Sequence, residues 1–163
     1  MKTRKGSKND GTFTQDKVQK ALIRSHSRGE SMVCRVYDTH SAGRMLPKVA
    51  GDFIGVFQGH PVLIECKSSE KRFKTFNRAA CKALTKNHQI ACSQMWTMAG
   101  GLSLFIFYSF EADVTEFRVG PHVVEMYKGE EEIDEKVTLQ GSSPEQIDAV
   151  LAHMFSKIER KED

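Results

Sequence analysis

Two apolar segments joined by a short glycine-containing connection most constrain how this chain can fold. Residues 52–57 (DFIGVF) and 61–67 (PVLIECK) are separated by Gln58-Gly59-His60, a spacing typical of a β-hairpin. The run Val62-Leu63-Ile64 is entirely apolar, which indicates a central strand covered on both faces. We therefore expect this hairpin to lie inside a sheet.

The rest of the chain shows helical and strand patterns in irregular alternation. Apolar spacing predicts helices at about 14–26, 87–98 and 144–158, the first capped by Thr12 or Thr14. Further strands are predicted at 32–37, 102–108 and 114–119, with loops at 38–48 and 130–135. The class is α/β or α+β with a mixed sheet. Because 163 residues suit one domain, we expect a flexible basic tail at 1–11 and a single domain at 12–163.

Charge is distributed unevenly along the chain, although the formal net charge is only +3. Residues 1–110 contain 18 Lys and Arg against 7 Asp and Glu, a charge of +11. Residues 111–163 contain 6 Lys and Arg against 14 Asp and Glu, a charge of −8. Such a chain suggests a basic half that meets a polyanion and an acidic end turned away from it. An unevenly charged solvated surface would give the same count.

Several classes of protein are disfavoured by what the sequence lacks. No apolar run approaches the roughly 20 residues of a membrane helix, and the first ten residues show no signal-peptide pattern. The four cysteines form no CxxC pair, so we expect reduced thiols in an intracellular protein, cytoplasmic in a bacterium or a virus-infected cell. The histidines show no zinc spacing, and neither a Walker A loop nor GxGxxG is present.

The candidate chemistry lies at the end of the hairpin, in Asp52 and the triplet Glu65-Cys66-Lys67. The short connection brings both carboxylates to one end of the strand pair, and Glu65 and Lys67 project to the same side. With the backbone carbonyl of Cys66, they would form an oxygen site suited to Mg²⁺ or Mn²⁺. An ordinary strand-end salt bridge between Glu65 and Lys67 is the alternative.

Basic residues around this triplet are candidates for binding DNA phosphates. A run of Lys and Arg follows it directly, opposed only by Glu70. Two basic residues precede the hairpin, and others occur in the tail. We take as DNA-binding candidates Lys71, Arg72, Lys74 and Arg78 after the triplet, Arg44 and Lys48 before it, and Lys5 and Lys8 in the tail. For Arg44 and Lys48, solvated loop charge is the competing interpretation, and the tail lysines would act as a flexible arm.

The Asp…Glu-x-Lys hairpin resembles the signature of PD-(D/E)XK nucleases, and more narrowly the RecU-type Holliday junction resolvases. The similarity covers roughly residues 11–110 and includes VAGDFIGVFQGHPVLIECKSS at 49–69, His88-Gln89-Ile90, and LSLFIFYSF at 102–110. It implies an α/β fold with the restriction-endonuclease-like core, a mixed central β-sheet flanked by helices. The proline of the signature is absent, since Ala50-Gly51 precede Asp52.

The resemblance also implies roles. Asp52 and Glu65 would bind Mg²⁺ or Mn²⁺ together with the Cys66 carbonyl, Lys67 would orient water, and Gln89 would lie near the metal. Relatives tend to have an acidic residue in the first helix, where this chain has Gln15 followed by Asp16. Asp16 is our candidate ligand, and the alternative is that Gln15 holds a metal-bound water. The expected activity is Mg²⁺-dependent cleavage of four-way DNA junctions by a homodimer. A restriction-type or flap nuclease and a non-cleaving DNA-binding relative are the alternatives.

Overall fold

In the part of the chain that the structure describes, a six-stranded sheet forms the centre of the fold. The computed structural model describes residues 11–36, 51–129 and 131–159. The strands are β1 Ser31–Arg35, β2 Phe53–Phe57, β3 His60–Ser69, β4 Leu102–Ser109, β5 Val114–Val119 and β6 Val137–Gln140. They lie in the order β1-β2-β3-β4-β5-β6, with β3 and β4 parallel and all other neighbours antiparallel. The predicted α/β class with a mixed central sheet flanked by helices is confirmed.

Helices cover both faces of the sheet. They are α1 Thr12–Ser27, α2 Arg78–Leu84, α3 Asn87–Met98, α4 Gly120–Lys128 and α5 Pro144–Glu159. Helices α1 and α5 pack on one face in a core that includes Val62, Ile64 and Cys66 of β3. The other face carries a second core, to which α2, α3 and α4 contribute. Within the described ranges, no helix has both the length and the apolar character needed to cross a bilayer.

The hairpin forms because its turn residues accept left-handed backbone geometry. Gln58 has a φ of 46° and Gly59 a φ of 82°, and positive φ at both central positions is typical of the two-residue turns that match strand twist. His60 pairs with Phe57, so β3 begins one residue earlier than predicted, and it continues two residues past Lys67. The predicted hairpin and its central strand are confirmed.

The register of β3 decides which of its side chains lie on the face of the sheet that carries the second core. Residues alternate along a strand, so Glu65 and Lys67 lie opposite to Cys66. Their partners in β4 are Phe105 and Phe107, which belong to the second core. The charged pair therefore faces the side that α2, α3 and α4 cover.

Three elements were not predicted, and one cap was wrong. Helix α4 follows β5 directly and has Pro121 in its first turn, where proline is favoured, but no helix was predicted there. The basic run hid α2, whose cap is Asn77, and the four-residue β6 was too short to recognise. Neither Thr12 nor Thr14 caps α1, because the helix begins at Thr12 and its N-cap is Gly11. The Thr14 hydroxyl donates instead to the Lys67 carbonyl at 3.0 Å. The loop predicted at 38–48 lies outside the described residues.

The acidic end of the chain packs against the basic half. Asp148 of α5 accepts two hydrogen bonds of 2.7 Å from Arg28 at the end of α1. On the other face, Glu132 accepts from the backbone N–H of Arg78, where α2 begins. The two charge excesses in the sequence partly neutralise each other in the fold.

Candidate metal and phosphate site

Asp52 is held against β3 at the point where the β2–β3 ladder ends. Its backbone N–H donates to the Ile64 carbonyl at 2.9 Å, and its Oδ2 accepts from the backbone N–H of Cys66 at 2.6 Å. The carboxylate thus takes the place of a ladder carbonyl. Because Cys66 is the residue after Glu65, this bond brings the Asp52 and Glu65 carboxylates into the same small region.

Glu65, Lys67 and Gln89 form a closed set of hydrogen bonds. The Nζ of Lys67 lies 3.0 Å from Glu65 Oε1 and donates to Gln89 Oε1 at 2.8 Å. The Nε2 of Gln89 donates to the same Oε1 of Glu65 at 2.6 Å. Side chains of Glu65 and Lys67 are only 7% and 11% exposed, so this is a nearly desolvated ion pair, unlike a surface salt bridge. We call Asp52, Glu65, Lys67 and Gln89 the polar cluster.

The start of α3 positions Gln89. Gln89 is the third residue of the helix, and its Oε1 also accepts from the backbone N–H of Lys86 at 2.9 Å, which caps the helix. Ammonium and backbone N–H groups only donate, so Oε1 must face Lys67 and Lys86. The amide NH₂ is therefore directed at Glu65. Gln89 is therefore part of the site and not a plain surface residue.

Of the two candidates in α1, the structure places Gln15 beside Asp52. Gln15 Nε2 donates to Asp52 Oδ1 at 2.8 Å. The carboxylate of Asp16 is 57% exposed and forms an ion pair of 3.0 Å with Arg35. A helical residue points about 100° away from its neighbour, which separates the two side chains. The prediction that Asp16 binds the metal therefore does not fit its position.

Cys66 can contribute only its backbone. Its side chain is 1% exposed in the first core, and burial raises the pKa of the thiol well above its ordinary value. Its carbonyl oxygen lies beside Gly11, where an added Cβ would approach it to 2.6 Å. Gly11 has a φ of 83°, so both the space and the backbone geometry require glycine there.

The site has an excess of buried negative charge. Burial, then repulsion from Asp52, raise the pKa of Glu65 to about 7, against the attraction of Lys67. Burial also raises the pKa of Asp52, although hydrogen bonds and the charges of Lys67 and Arg35 oppose the shift. Two adjacent carboxylates with raised pKa values are stabilised when a further cation is added.

The donor set of this site fits a hard divalent cation. Both contacts to Glu65 fall on Oε1, so within the described part of the chain Oε2 keeps its lone pairs. Each oxygen of Asp52 accepts one hydrogen bond and can accept another partner. The described residues contain no group of three or more His, Cys, Asp or Glu side chains arranged to hold a metal. A cation would therefore be bound by two carboxylates and a backbone oxygen.

The basic candidates fall into three groups. Lys71 and Arg72 are exposed next to β3, and the guanidinium of Arg72 lies 4.9 Å from the centre of the Phe73 ring. Lys74 is also exposed and lies 3.6 Å from Glu111. Arg78 has a structural contact, because its Nε donates to the Gly129 carbonyl at 3.0 Å. The remaining candidates, Lys5, Lys8, Arg44 and Lys48, lie outside the described residues.

Two site residues were missed from the sequence. Arg35 contacts Gln15, but its strand was predicted from the apolar pattern alone. The backbone N–H of Lys86 contacts Gln89. Arg35 acts through a contact between distant segments, for which the local pattern carries no signal. The Lys86 contact is a local helix cap, with Gln89 three residues further along. No known family model matches the chain, and no curated protein matches it either.

The raised pKa of Glu65 predicts a pH-dependent stability in metal-free protein. A folded-state pKa of about 7 against an ordinary 4.5 means that the folded protein binds the proton more tightly. The free energy of unfolding should therefore fall as pH rises from about 4.5 to 7, by up to about 3 kcal/mol, and Glu65→Gln should flatten this slope. Urea unfolding in EDTA between pH 5 and 8.5 measures it.

Asp134→Asn is the control for this experiment. Asp134 is exposed beside Lys136, which lowers its pKa, so its titration lies below the range measured. Contributions that the three proteins share cancel in the comparison. An equal slope in wild type and Glu65→Gln would show that Glu65 ionises normally and that the site lacks the charge excess described above.

Proposed function

We propose that this protein is a divalent-cation-dependent endodeoxyribonuclease whose catalytic centre is the polar cluster. The observation that carries the proposal is the convergence of the buried carboxylate of Glu65, the half-buried carboxylate of Asp52, a lysine and a glutamine beside an exposed basic segment. A salt bridge for stability alone does not need a second carboxylate, whose partial burial costs free energy. Hydrolysis of a phosphodiester needs such a charge excess, because it recruits a cation.

Each residue of the cluster has a distinct task. Asp52 and Glu65, with the carbonyl of Cys66, would hold Mg²⁺ or Mn²⁺. When bound, such a cation activates water and offsets the charge that develops on the phosphate oxygens. Lys67 uses two of its three N–H donors on Glu65 and Gln89, which leaves the third to orient a water or a phosphate oxygen. Gln89 fixes both Glu65 and Lys67, so neither has to reorganise during the reaction.

Binding of the DNA backbone falls to the segment after β3. Lys71 and Arg72 are exposed three residues or fewer from the end of the strand that carries Glu65 and Lys67. Phosphate contacts of this kind position a duplex without reading its sequence. They also make the affinity fall with salt concentration.

A four-way junction is the substrate that we propose. Support comes from the similarity of residues 11–110 to RecU-type resolvases, and from the mixed sheet flanked by helices that this similarity implies. Resolving a junction takes two symmetric cuts, so the active species would be a two-fold homodimer.

Incubation of purified protein with a synthetic four-way junction, a linear duplex and a flap, in Mg²⁺ and in EDTA, tests this function. We expect paired symmetric nicks in the junction, dependent on Mg²⁺, and slower cutting of the other two. Preferred cutting of the flap or duplex would assign a different nuclease substrate. Tight junction binding without cutting in Mg²⁺ or Mn²⁺ would reject the enzyme in favour of a binding protein.

A further inference from the structure

Asp52 is also held from the side of α1, through a chain of two hydrogen bonds. Gln15 Nε2 donates to Asp52 Oδ1 at 2.8 Å, and Gln15 Oε1 accepts from a guanidinium nitrogen of Arg35 at 2.7 Å. The amide therefore stands between the acid and the arginine. Of the polar cluster, only Asp52 takes part in this chain of hydrogen bonds.

Chemistry fixes the orientation of the Gln15 amide. A guanidinium has five donors and no acceptor, so the group that faces Arg35 must be the amide oxygen. The NH₂ group is then left for Asp52, a carboxylate that can only accept when ionised. Gln15 thus cannot offer its oxygen to a cation at Asp52 while Arg35 is in place, and it acts as a donor.

Arg35 is itself held rigidly. Its other terminal nitrogen donates to Asp16 Oδ1 and to Gln19 Oε1, both at 3.0 Å. Its side chain is only 18% exposed. In the sheet Arg35 is the partner of Phe53, the residue after Asp52, so strand pairing delivers the guanidinium to this end of the hairpin.

We propose that Arg35 is a positioning residue for the cation site, acting through Gln15 on Asp52. By fixing the amide, Arg35 keeps one Asp52 oxygen in a constant direction, and the Cys66 N–H fixes the other. This inference rests on the proposed function, since it assumes that Asp52 holds the cation. Groups that orient metal ligands in this way typically contribute 10- to 100-fold to metal affinity.

Calorimetric titration of the DNA-free protein with Mn²⁺ tests the proposal. Arg35→Met and Gln15→Met keep much of the side-chain length and remove the hydrogen bonds. Each should weaken Mn²⁺ binding by about 10-fold or more. The double variant should lose no more Mn²⁺ affinity than Gln15→Met does, because the positioning effect of Arg35 passes through the amide, and the loss of its positive charge near Asp52 favours the cation. Unchanged affinity in Arg35→Met, or additive losses in the double variant, would overturn the proposal.

A matched control separates positioning from general stability. Asp16→Asn removes the surface ion pair of Arg35 but leaves its bond to Gln15, so Mn²⁺ affinity should stay within about 2-fold of wild type. A loss of Mn²⁺ affinity equal to that of Arg35→Met would assign the effect to the ion pair and reject the hydrogen-bond chain through Gln15. All titrations are run under conditions in which circular dichroism shows that each variant is folded.

The readout keeps this inference distinct from the proposed function. Mn²⁺ binding that depends on Arg35, in a protein that cuts no DNA, would support the inference and reject the nuclease. DNA cleavage by the wild type, together with an Mn²⁺ affinity that is unchanged in Arg35→Met, would support the nuclease and reject the inference. In cleavage assays, Arg35→Met should raise the Mg²⁺ concentration for half-maximal rate about 10-fold and leave the saturated rate within about 2-fold.

Discussion

Lys67→Met is expected to slow single-turnover cleavage of a four-way junction by about 10²- to 10⁴-fold while leaving junction affinity nearly unchanged. Lys67 is almost buried, and two of its donors are used within the polar cluster, so its charge is not part of the exposed DNA-binding surface. Loss of its third donor removes the group that would orient the water. Quench experiments at saturating protein measure the rate, and filter binding in Ca²⁺ measures the affinity.

Lys71→Met is the matched control, since Lys71 lies four residues further along and is exposed. It should weaken junction binding, reduce the salt dependence by about one phosphate contact and leave the saturated rate unchanged. Lys67→Met also leaves Glu65 without its ion-pair partner, which can cost about 3–5 kcal/mol. The comparison is therefore made at a temperature where both variants are folded. A Lys67→Met protein that cuts at the rate of Lys71→Met would reject the assigned role.

Glu65→Gln is expected to abolish the stabilisation that Mg²⁺ gives the wild-type protein. A cation that binds only the folded state stabilises it by about 2.7 kcal/mol at 100 times its dissociation constant, which corresponds to several degrees in Tm for a chain of this size. The variant should be more stable than wild type in EDTA at pH 8, because an ionised buried carboxylate is gone. Melting curves with and without Mg²⁺ measure both effects.

The exposed acid Asp134 again provides the control. Asp134→Asn should keep the full Mg²⁺ shift of the wild type, because Asp134 is paired with Lys136 at the surface. An equal Mg²⁺ shift in Glu65→Gln would place the cation elsewhere on the protein. A wild type without any shift would contradict the cation site itself.

Local patterns were sufficient to predict the elements that centre on the hairpin. The β2–β3 pair, α3, β4 and β5 were predicted with close to their observed bounds, because each is bounded by a turn or glycine signal and carries its own apolar run. The separation of Glu65 and Lys67 from Cys66 onto opposite faces followed from strand alternation. Helix α4 was missed because proline marks both breaks and helix starts.

The site was predictable only in part, since much of it depends on contacts between distant segments. The choice between Gln15 and Asp16 depends on the rotation of α1 to within one residue, which packing against the sheet decides. Arg35 has no distinguishing sequence context, and its place beside Gln15 follows from β1–β2 pairing. The hydrogen bond from Arg78 to the Gly129 carbonyl could not be predicted either, because Gly129 ends α4, which was not predicted.

Single-turnover cleavage of a four-way junction across a Mg²⁺ titration, with wild type and Glu65→Gln measured side by side, tests the proposed function most directly. We expect paired nicks in the wild type whose rate rises with Mg²⁺ to a plateau, no cutting in EDTA, and a rate at least about 10²-fold lower in Glu65→Gln at every concentration. Equal cutting by the two proteins, or a wild type that does not cut any DNA at any Mg²⁺ concentration, would contradict the proposed function.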